Sequence, residues 1–490
     1  MKHVIGIDVG SQSVKGCLLD PAGRVIAVGR AACTMRHPAS GWAEQEPAQW
    51  RDGVAAVVRQ VVEQAGLRPG DVGTIGMASQ VDGVVPVDAA CRPLRDAVIW
   101  LDRRATAQAD ALVERVGEQE LFQRTGLNPD ASHTAPKMMW LREHEPEMYR
   151  ATRSLPAVAA YLTGWLTGSI VLDHANASST LLYDVGKGNW SEELVEASGI
   201  SPSLLPEIRP STDIAGSLTT EAADALGLSR DCVVIVGTGD DHGAALSAGL
   251  LRPGLVADVT GTAEPVGAVA GDLLFDDERL VETHAHAVPG TLFVENPGFV
   301  SGGSTLWLAE RVLRCAQADL FKLAARAPAG SDGVLFLPTL SGATAPRWND
   351  SMRGAFAGLS MNHDDAHLAR AVLEGCAFAL RDIVDRLGAL GLADDEVRIV
   401  GGGARSRLWV RIKADVLNRP VRPVLAEEPT AVGAAMLAGV AGGLFTDFDD
   451  AVARAVELSP EPQMPIEPDR YAERYAEYRR LYDGVEGSLA

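Results

Sequence analysis

Three glycine-rich strand-to-turn junctions carry residue types that could hold a phosphate: DVGSQS (Asp8–Ser13), DVTGT (Asp258–Thr262) and GGGARS (Gly401–Ser406). Glycine permits such a turn and leaves room for a phosphate to come close, so several backbone N–H groups can point at one spot. The hydroxyls of Ser11, Ser13 and Thr262 add donors. One such turn is most often an ordinary hairpin. Two related hairpins plus a triple glycine, in matched halves of the chain, point to a polyphosphate gripped from both sides. Asp8 ends the strand before the first turn. It either caps that turn or holds a hydrated Mg²⁺ bridging phosphates, because Mg²⁺ takes few carboxylates and many waters.

Asp240, Asp241 and His242 stand between the strand-like CVVIVGTG and a helix. Helix capping explains one acid. The sharper reading puts one Asp in a cleft as a general base. A metal site built on Asp240 and His242 lacks a further ligand nearby. His284 and His286 form an HxH without an acidic or Cys partner, which reads as a surface or packing pair rather than a zinc site. The chain has no GxxxxGK[ST], no GxGxxG between strand and helix, no HExxH and no GxSxG. A P-loop, a Rossmann cofactor site, a zincin and an α/β-hydrolase elbow are therefore unsupported.

The elements that would position these residues alternate in kind. VIGIDVG and SVKGCLLD read as strands around a Ser11–Gln12 turn, RVIAVGRAAC as a third, and a helix is expected from about Pro47 to Gln64. LVADVTGTAEPVGAVA repeats the opening pattern, with Asp258 where Asp8 stands, and VRIVGGGARS follows as VGTIGMASQ does in the first half. A duplicated α/β domain is the natural reading, with a ligand cleft between the copies. The boundary is expected near Gly249–Gly254, dividing 1–250 from 251–490. The uncharged stretch Leu155–Leu172 is read as a buried helix and strand, because Pro156, Gly164 and Gly168 interrupt it. Tyr471, Tyr475, Tyr478 and Tyr482, at helical spacing, form a packing stripe, with a homodimer surface as the alternative.

The chain's 490 residues suit two large domains with ample core. Its net charge of −21 disfavours nucleic acid and anionic membrane as partners. The six cysteines form no CxxC, and the N-terminus is not a signal peptide, so a reduced, cytoplasmic protein is expected.

SxTAPKMMWLREH (Ser132–His144), GAFAGL followed after seven residues by HLARAVLE (Gly354–Glu374), and IGIDVGSQSVK, WLDRRA, DHANAS, VGTGDDHGAA and VGGGARSRLW, all in order, resemble the FGGY carbohydrate kinases along essentially the whole chain. Within that family the sequence is most similar to the xylulokinases. The resemblance implies two ribonuclease-H-like (actin-like ATPase) α/β domains around a central cleft, ATP and Mg²⁺ as cofactors, and a small sugar as acceptor, a pentulose such as D-xylulose or another ketose or polyol. It makes Asp240 the catalytic base and sets Asp8 and Asp240 beside Mg²⁺. Its phosphate loops fall on Gly10, Ser11, Ser13, Lys15, Gly261 and Thr262, and its adenosine-side loop on Gly401, Gly402, Gly403 and Ala404. Its sugar contacts fall on Gln80, Asp82, Trp100, Asp102 and Asp240. Xylulokinases tend to carry Gln-Met-His-Gly where this chain has Gln80, Val81, Asp82 and Gly83, which exchanges a possible donor for an acceptor. Leu101 also replaces a residue that is commonly polar. Two other readings share the residues: a nucleotide-dependent scaffold of the same architecture, and a metal-dependent hydrolase built on Asp240–His242.

Overall fold

The β-branched, largely apolar runs His3–Val9 (β1) and Ser13–Leu19 (β2) fold back on each other as an antiparallel pair, and Val25–Ala32 (β3) extends the meander. The helix from Pro47 runs over Pro47–Gln64 (α1), with proline in its first turn, and buries Trp50, Val54, Val57 and Val61. Val72–Ser79 (β4) returns parallel to β1. The molecule is described from a computed structural model covering residues 2–489.

Ile214–Ser217 (β5), Val233–Ile235 (β6) and Thr238–Gly239 (β7) complete the first sheet, in the order β5-β6-β4-β1-β2-β3, with β7 also beside β4. The second half builds Val256–Thr260 (β8), Ala263–Ala270 (β9), the edge strand Glu282–Ala285 (β10) and Leu292–Val300 (β11). Val397–Gly401 (β12) and Val421–Pro423 (β13) close the order β10-β11-β9-β8-β12-β13. β12 lies parallel to β8 as β4 lies parallel to β1. The faint internal repeat is therefore a repeat of topology: a meander with a parallel strand against its first member.

Two helices tie the halves together: Asp240–Ser247, following β7, and Pro429–Ala441. The second is rich in Ala and Val and buried along most of its length, as a helix apolar all round must be. It lies on β1 and β4 of the first sheet and against the Asp240–Ser247 helix. Glycines admit it, since a Cβ on Gly6 would come 1.9 Å from the Ala431 carbonyl oxygen and one on Gly76 2.3 Å from that of Ala434. Val4, Leu19 and Ile235 consequently share one core cluster with Ala431, Ala435 and Phe445.

The Leu155–Leu172 stretch folds as a helix, Val158–Thr167, and a strand, Val171–Asp173. Among the described residues no helix is long and apolar enough to cross a membrane. Tyr471, Tyr478 and Tyr482, on the helix Pro468–Leu489, are buried within this one chain, with Tyr471 and Tyr478 against Phe378. That stripe is a packing face. All six cysteines are free thiols.

Candidate functional site

Strand register assembles the site at one end of the first sheet. Asp8 on β1 pairs with Ala78 on β4, which pairs on its other side with Thr238 on β7. Neighbouring strands lie about 4.8 Å apart, so Asp8 and Thr238, two residues before the helix at Asp240, stand about 10 Å apart. Gln80 leaves the end of β4 between them, its N–H donating to the Val9 carbonyl.

Asp8 is buried, and its carboxylate accepts from Lys15 Nζ at 3.2 Å instead of capping the turn. Lys15 also lies 4.0 Å from Glu428, at the start of the second-half helix, and Arg30 pairs with Glu428 at 2.5 Å. Asp240 caps nothing, because Gly239 is the N-cap and no side chain caps the helix. Burial, then the charges of Asp241 and Asp8, push the Asp240 carboxyl well above the ordinary range. Burial, with Asp82 and Asp8, lifts Asp241 to about 6. Burial raises Asp8 too, against the pull of Lys15. This surplus of carboxylate oxygen over cation suits a hard divalent ion such as Mg²⁺. Among the described residues no group of three or more His, Cys, Asp or Glu forms a metal site, so an ion at Asp8 and Asp240 would draw most of its shell from phosphate and water.

In the first turn, Gly10, Ser11 and Ser13 are partly exposed and Gln12 is exposed. In the second half, Gly261 and Thr262 are exposed at the β8–β9 turn, while Thr260 pairs with Gly401 across β8 and β12. Gly401 has φ +86, and a Cβ on Gly403 would meet Thr260 Cγ2 at 2.5 Å, so Gly401–Ala404 and Gly261–Thr262 lie side by side. Gly302 and Gly303, missed in the sequence, join them: their N–H groups donate to Gly261 and Thr262 carbonyls at 3.1 and 3.0 Å. Asp258, the counterpart of Asp8, has a different fate. Buried Lys413 donates to it at 2.6 Å, to Thr260 Oγ1 at 2.6 Å and to Glu264 at 3.0 Å.

On the side expected to take the acceptor, Gln80 is buried. Its Nε2 donates to Gln45 at 2.8 Å while its Oε1 has no partner, and Gln45 in turn donates to the Ser11 carbonyl at 2.8 Å. Asp82 sits at φ +58, a left-handed backbone unusual outside glycine. Lys137 Nζ holds that backbone by donating to the Asp82 carbonyl at 2.7 Å, and to that of Ser132. His133 lies with Nδ1 2.8 Å from the Ser179 carbonyl and Nε2 3.1 Å from that of Asn128. Only an imidazolium donates from both nitrogens. Its burial opposes the charge, but Asp82 (3.5 Å away), Glu282 and Asp130 lift it to about 9. His133 and Lys137 were also missed. The signal was a lysine inside Thr134–Leu141, a helical run buried at every position, where a charge needs a partner.

Trp100 is 36% exposed and free to present its indole face. Asp102 departs from its expected sugar contact. Fully buried, it accepts from the Ala43 N–H at 2.6 Å, and from Arg104 through N–H at 2.9 Å, Nε at 2.9 Å and Nη2 at 2.7 Å. These bonds occupy both oxygens, so Asp102 fixes the turn that carries Trp100.

Residues 3–247 match the N-terminal domain, and 256–442 the C-terminal domain, of the FGGY family of carbohydrate kinases. The xylulose kinase of Escherichia coli (strain K12) is 32% identical, over 98% of each chain. The glycerol kinase of Thermococcus onnurineus is 29% identical, over 90% of this chain and 89% of its own. The crystal structure of xylulose kinase from Rhodospirillum rubrum, 31% identical, matches at a TM-score of 0.90 over 100% of both chains.

Proposed function

Because this chain belongs to the FGGY family of carbohydrate kinases, we propose that it transfers the ATP γ-phosphate to a hydroxyl of a neutral pentulose such as D-xylulose, giving D-xylulose 5-phosphate, with Asp240 as general base. The observation that carries this is the uncapped, half-buried Asp240 carboxylate, raised in pKa and aligned with Asp8 and Gln80 at one sheet end.

A catalytic base works best with a pKa near the operating pH, and burial beside Asp241 tunes Asp240 in that direction. Asp240 takes the proton of the attacking hydroxyl. Gly10, Ser11, Ser13 and Lys15 from one half and Gly261 and Thr262 from the other bind the phosphates, with Gly401–Ala404 on the adenosine side. Gln80, Asp82 and Trp100 orient the sugar, and Asp102 acts only through the turn it holds. When bound, Mg²⁺ supplies positive charge to the phosphates, and Asp8 and Asp240 would hold it. The remaining catalysis is positioning and electrostatics, as in phosphoryl transfer generally. A reaction that consumes ATP, in a protein with six free thiols, suits the cytoplasm.

A second reading, a polyol acceptor of the glycerol type, is favoured by Asp82, an acidic residue where xylulokinases tend to have His. A coupled ADP-release assay with Mg²⁺ and ATP across ketoses, aldoses and polyols tests both. Release stimulated most by a pentulose supports the first reading, and by a triol the second. ADP release indifferent to every sugar and polyol would remove both.

A further inference from the structure

Glu282 on β10 and Glu295 on β11 are direct cross-strand partners in an antiparallel pair, so their side chains share one face. Both are buried, at 2% and 5% exposure. Like charges directly opposite destabilise a sheet, and more so away from water. The pair lies within reach of the charges of Asp82, His133, Asp240 and Asp241, beside the expected sugar side of the site. Glu282 Oε1 accepts from the Asn128 N–H at 2.7 Å, and the Thr283 N–H donates to the Gly126 carbonyl at 3.0 Å. These bonds clamp β10 to the loop leading into His133, the residue that steadies Asp82.

Four buried polar atoms around this junction have no hydrogen-bond partner: Glu295 Oε2, His284 Nδ1, Asp82 Oδ1 and His242 Nδ1. Buried polar groups are almost always paired. His284 approaches Glu295 at 3.5 Å, and the rings of His242 and His284 lie 6.2 Å apart, so the orphaned atoms belong to one neighbourhood fed from both halves.

We propose that Glu282, His284 and Glu295 complete, from the second half, the sugar pocket begun by Asp82, and that they restrict it to uncharged polyhydroxylated acceptors. This deepens the kinase reading and rests on it. The hydroxyls of an open ketose or polyol pair with the neutral imidazole, with the free Asp82 oxygen and with the Glu282 and Glu295 carboxyls, which donate as well as accept when protonated. A sugar acid or sugar phosphate would bring its own anion against Asp82 into a buried site lined by largely protonated carboxyls, where an added charge goes unsolvated, which is selection against charge. The protonation states agree. Burial first, then Asp241 and Glu282, drives Glu295 well up; burial first, eased by His133, drives Glu282 to about 7; and burial drives His284 down to about 4.

Glu295→Gln and His284→Asn test it in the full chain, with D-xylulose, glycerol, gluconate and glucosamine as acceptors. A site built to hydrogen-bond hydroxyls loses at least about tenfold when a partner is removed. The expected result is a sugar KM raised about tenfold or more, with kcat and the KM for ATP within about twofold and gluconate still a poor acceptor in both variants. A sugar KM within about twofold of wild type in both folded variants overturns the proposal. So does a wild type that prefers gluconate or glucosamine. Sugar-induced thermal stabilisation without ATP separates this test from that of the kinase reading. If wild type releases no ADP with any acceptor, the kinase reading fails. A neutral sugar that still raises wild-type Tm, but not that of Glu295→Gln, then supports the pocket, and no shift with any neutral sugar overturns it.

Discussion

At the scale of single residues, the site turns on how Asp240 can be both deprotonated enough to accept a proton and buried enough to make that acceptance useful. Its carboxyl is raised by burial and then by Asp241 and Asp8, while Lys15 pulls the other way. A base must be ionised to work, so the acid limb of kcat/KM lies above the usual aspartate pKa of about 3.9. Removing the charge of Asp241 removes one cause of the rise. Asp241→Asn is therefore expected to move that limb to lower pH, and a limb that stays put or moves up would separate Asp241 from the tuning. Asp240→Ala removes the base, and kcat should fall by about 10²–10⁴ with nucleotide binding retained. Equilibrium titration with ATP beside steady-state turnover reads both, and near-normal turnover in that variant takes Asp240 out of the role.

At the scale of elements, the duplicated hairpins have diverged in what they do with their aspartate. Asp8 faces Lys15, which is partly exposed, and keeps a raised pKa. Asp258 is tied with Glu264 to Lys413, all three fully buried. Removing one partner of a buried ion cluster leaves uncompensated charge and costs about 3–5 kcal/mol, whereas neutralising the whole set costs far less. Lys413→Met is expected to lower stability by that amount and to raise the KM for ATP more than that for the sugar, because Thr260 and the turn after it lose their anchor. Adding Asp258→Asn and Glu264→Gln should recover much of the stability, and chemical denaturation measures each step. The sequence carried the hairpins, the Pro47–Gln64 helix and the glycine loops, because period-2 alternation, proline and glycine act locally. It carried little of what joins distant segments. The HxH of His284 and His286 reads as a packing pair until β10 is seen beside Glu295 and Gly126. Asp102 reads as a sugar ligand until the Ala43 N–H, 59 residues away, is found on its carboxylate. Arg104, two residues on, was the local hint.

At the scale of the molecule, burying so many ionisable groups where the halves meet ties stability to pH. His133 and Glu282 hold protons in the folded chain, at about 9 and about 7, beyond their ordinary values of 6.5 and 4.5. A group whose folded pKa is raised contributes stability that is complete below its unfolded pKa and is lost as pH rises through the folded one. Between about pH 7 and 8, an unfolded chain has largely released both protons, while the folded chain keeps that of His133 and sheds that of Glu282. Each extra proton held costs about 1.4 kcal/mol of stability per pH unit of rise. His242, His284 and His286 are driven down by burial and are neutral in the folded chain, so the protons they take up on unfolding offset the loss near pH 6.5, an offset that fades above about pH 7. The net charge of −21 acts in the same direction through surface repulsion. At 1 M salt, where the screening length is about 3 Å, that part fades while the buried part persists. The ligand-free protein is therefore expected to lose Tm from about pH 7 to 8 at high salt. His133→Asn, which removes the group with the longer reach, should flatten the slope whatever its effect on the absolute Tm. A Tm that rises over this range, or a slope unchanged in the variant, would mean that Asp82 stands without the imidazolium beside it.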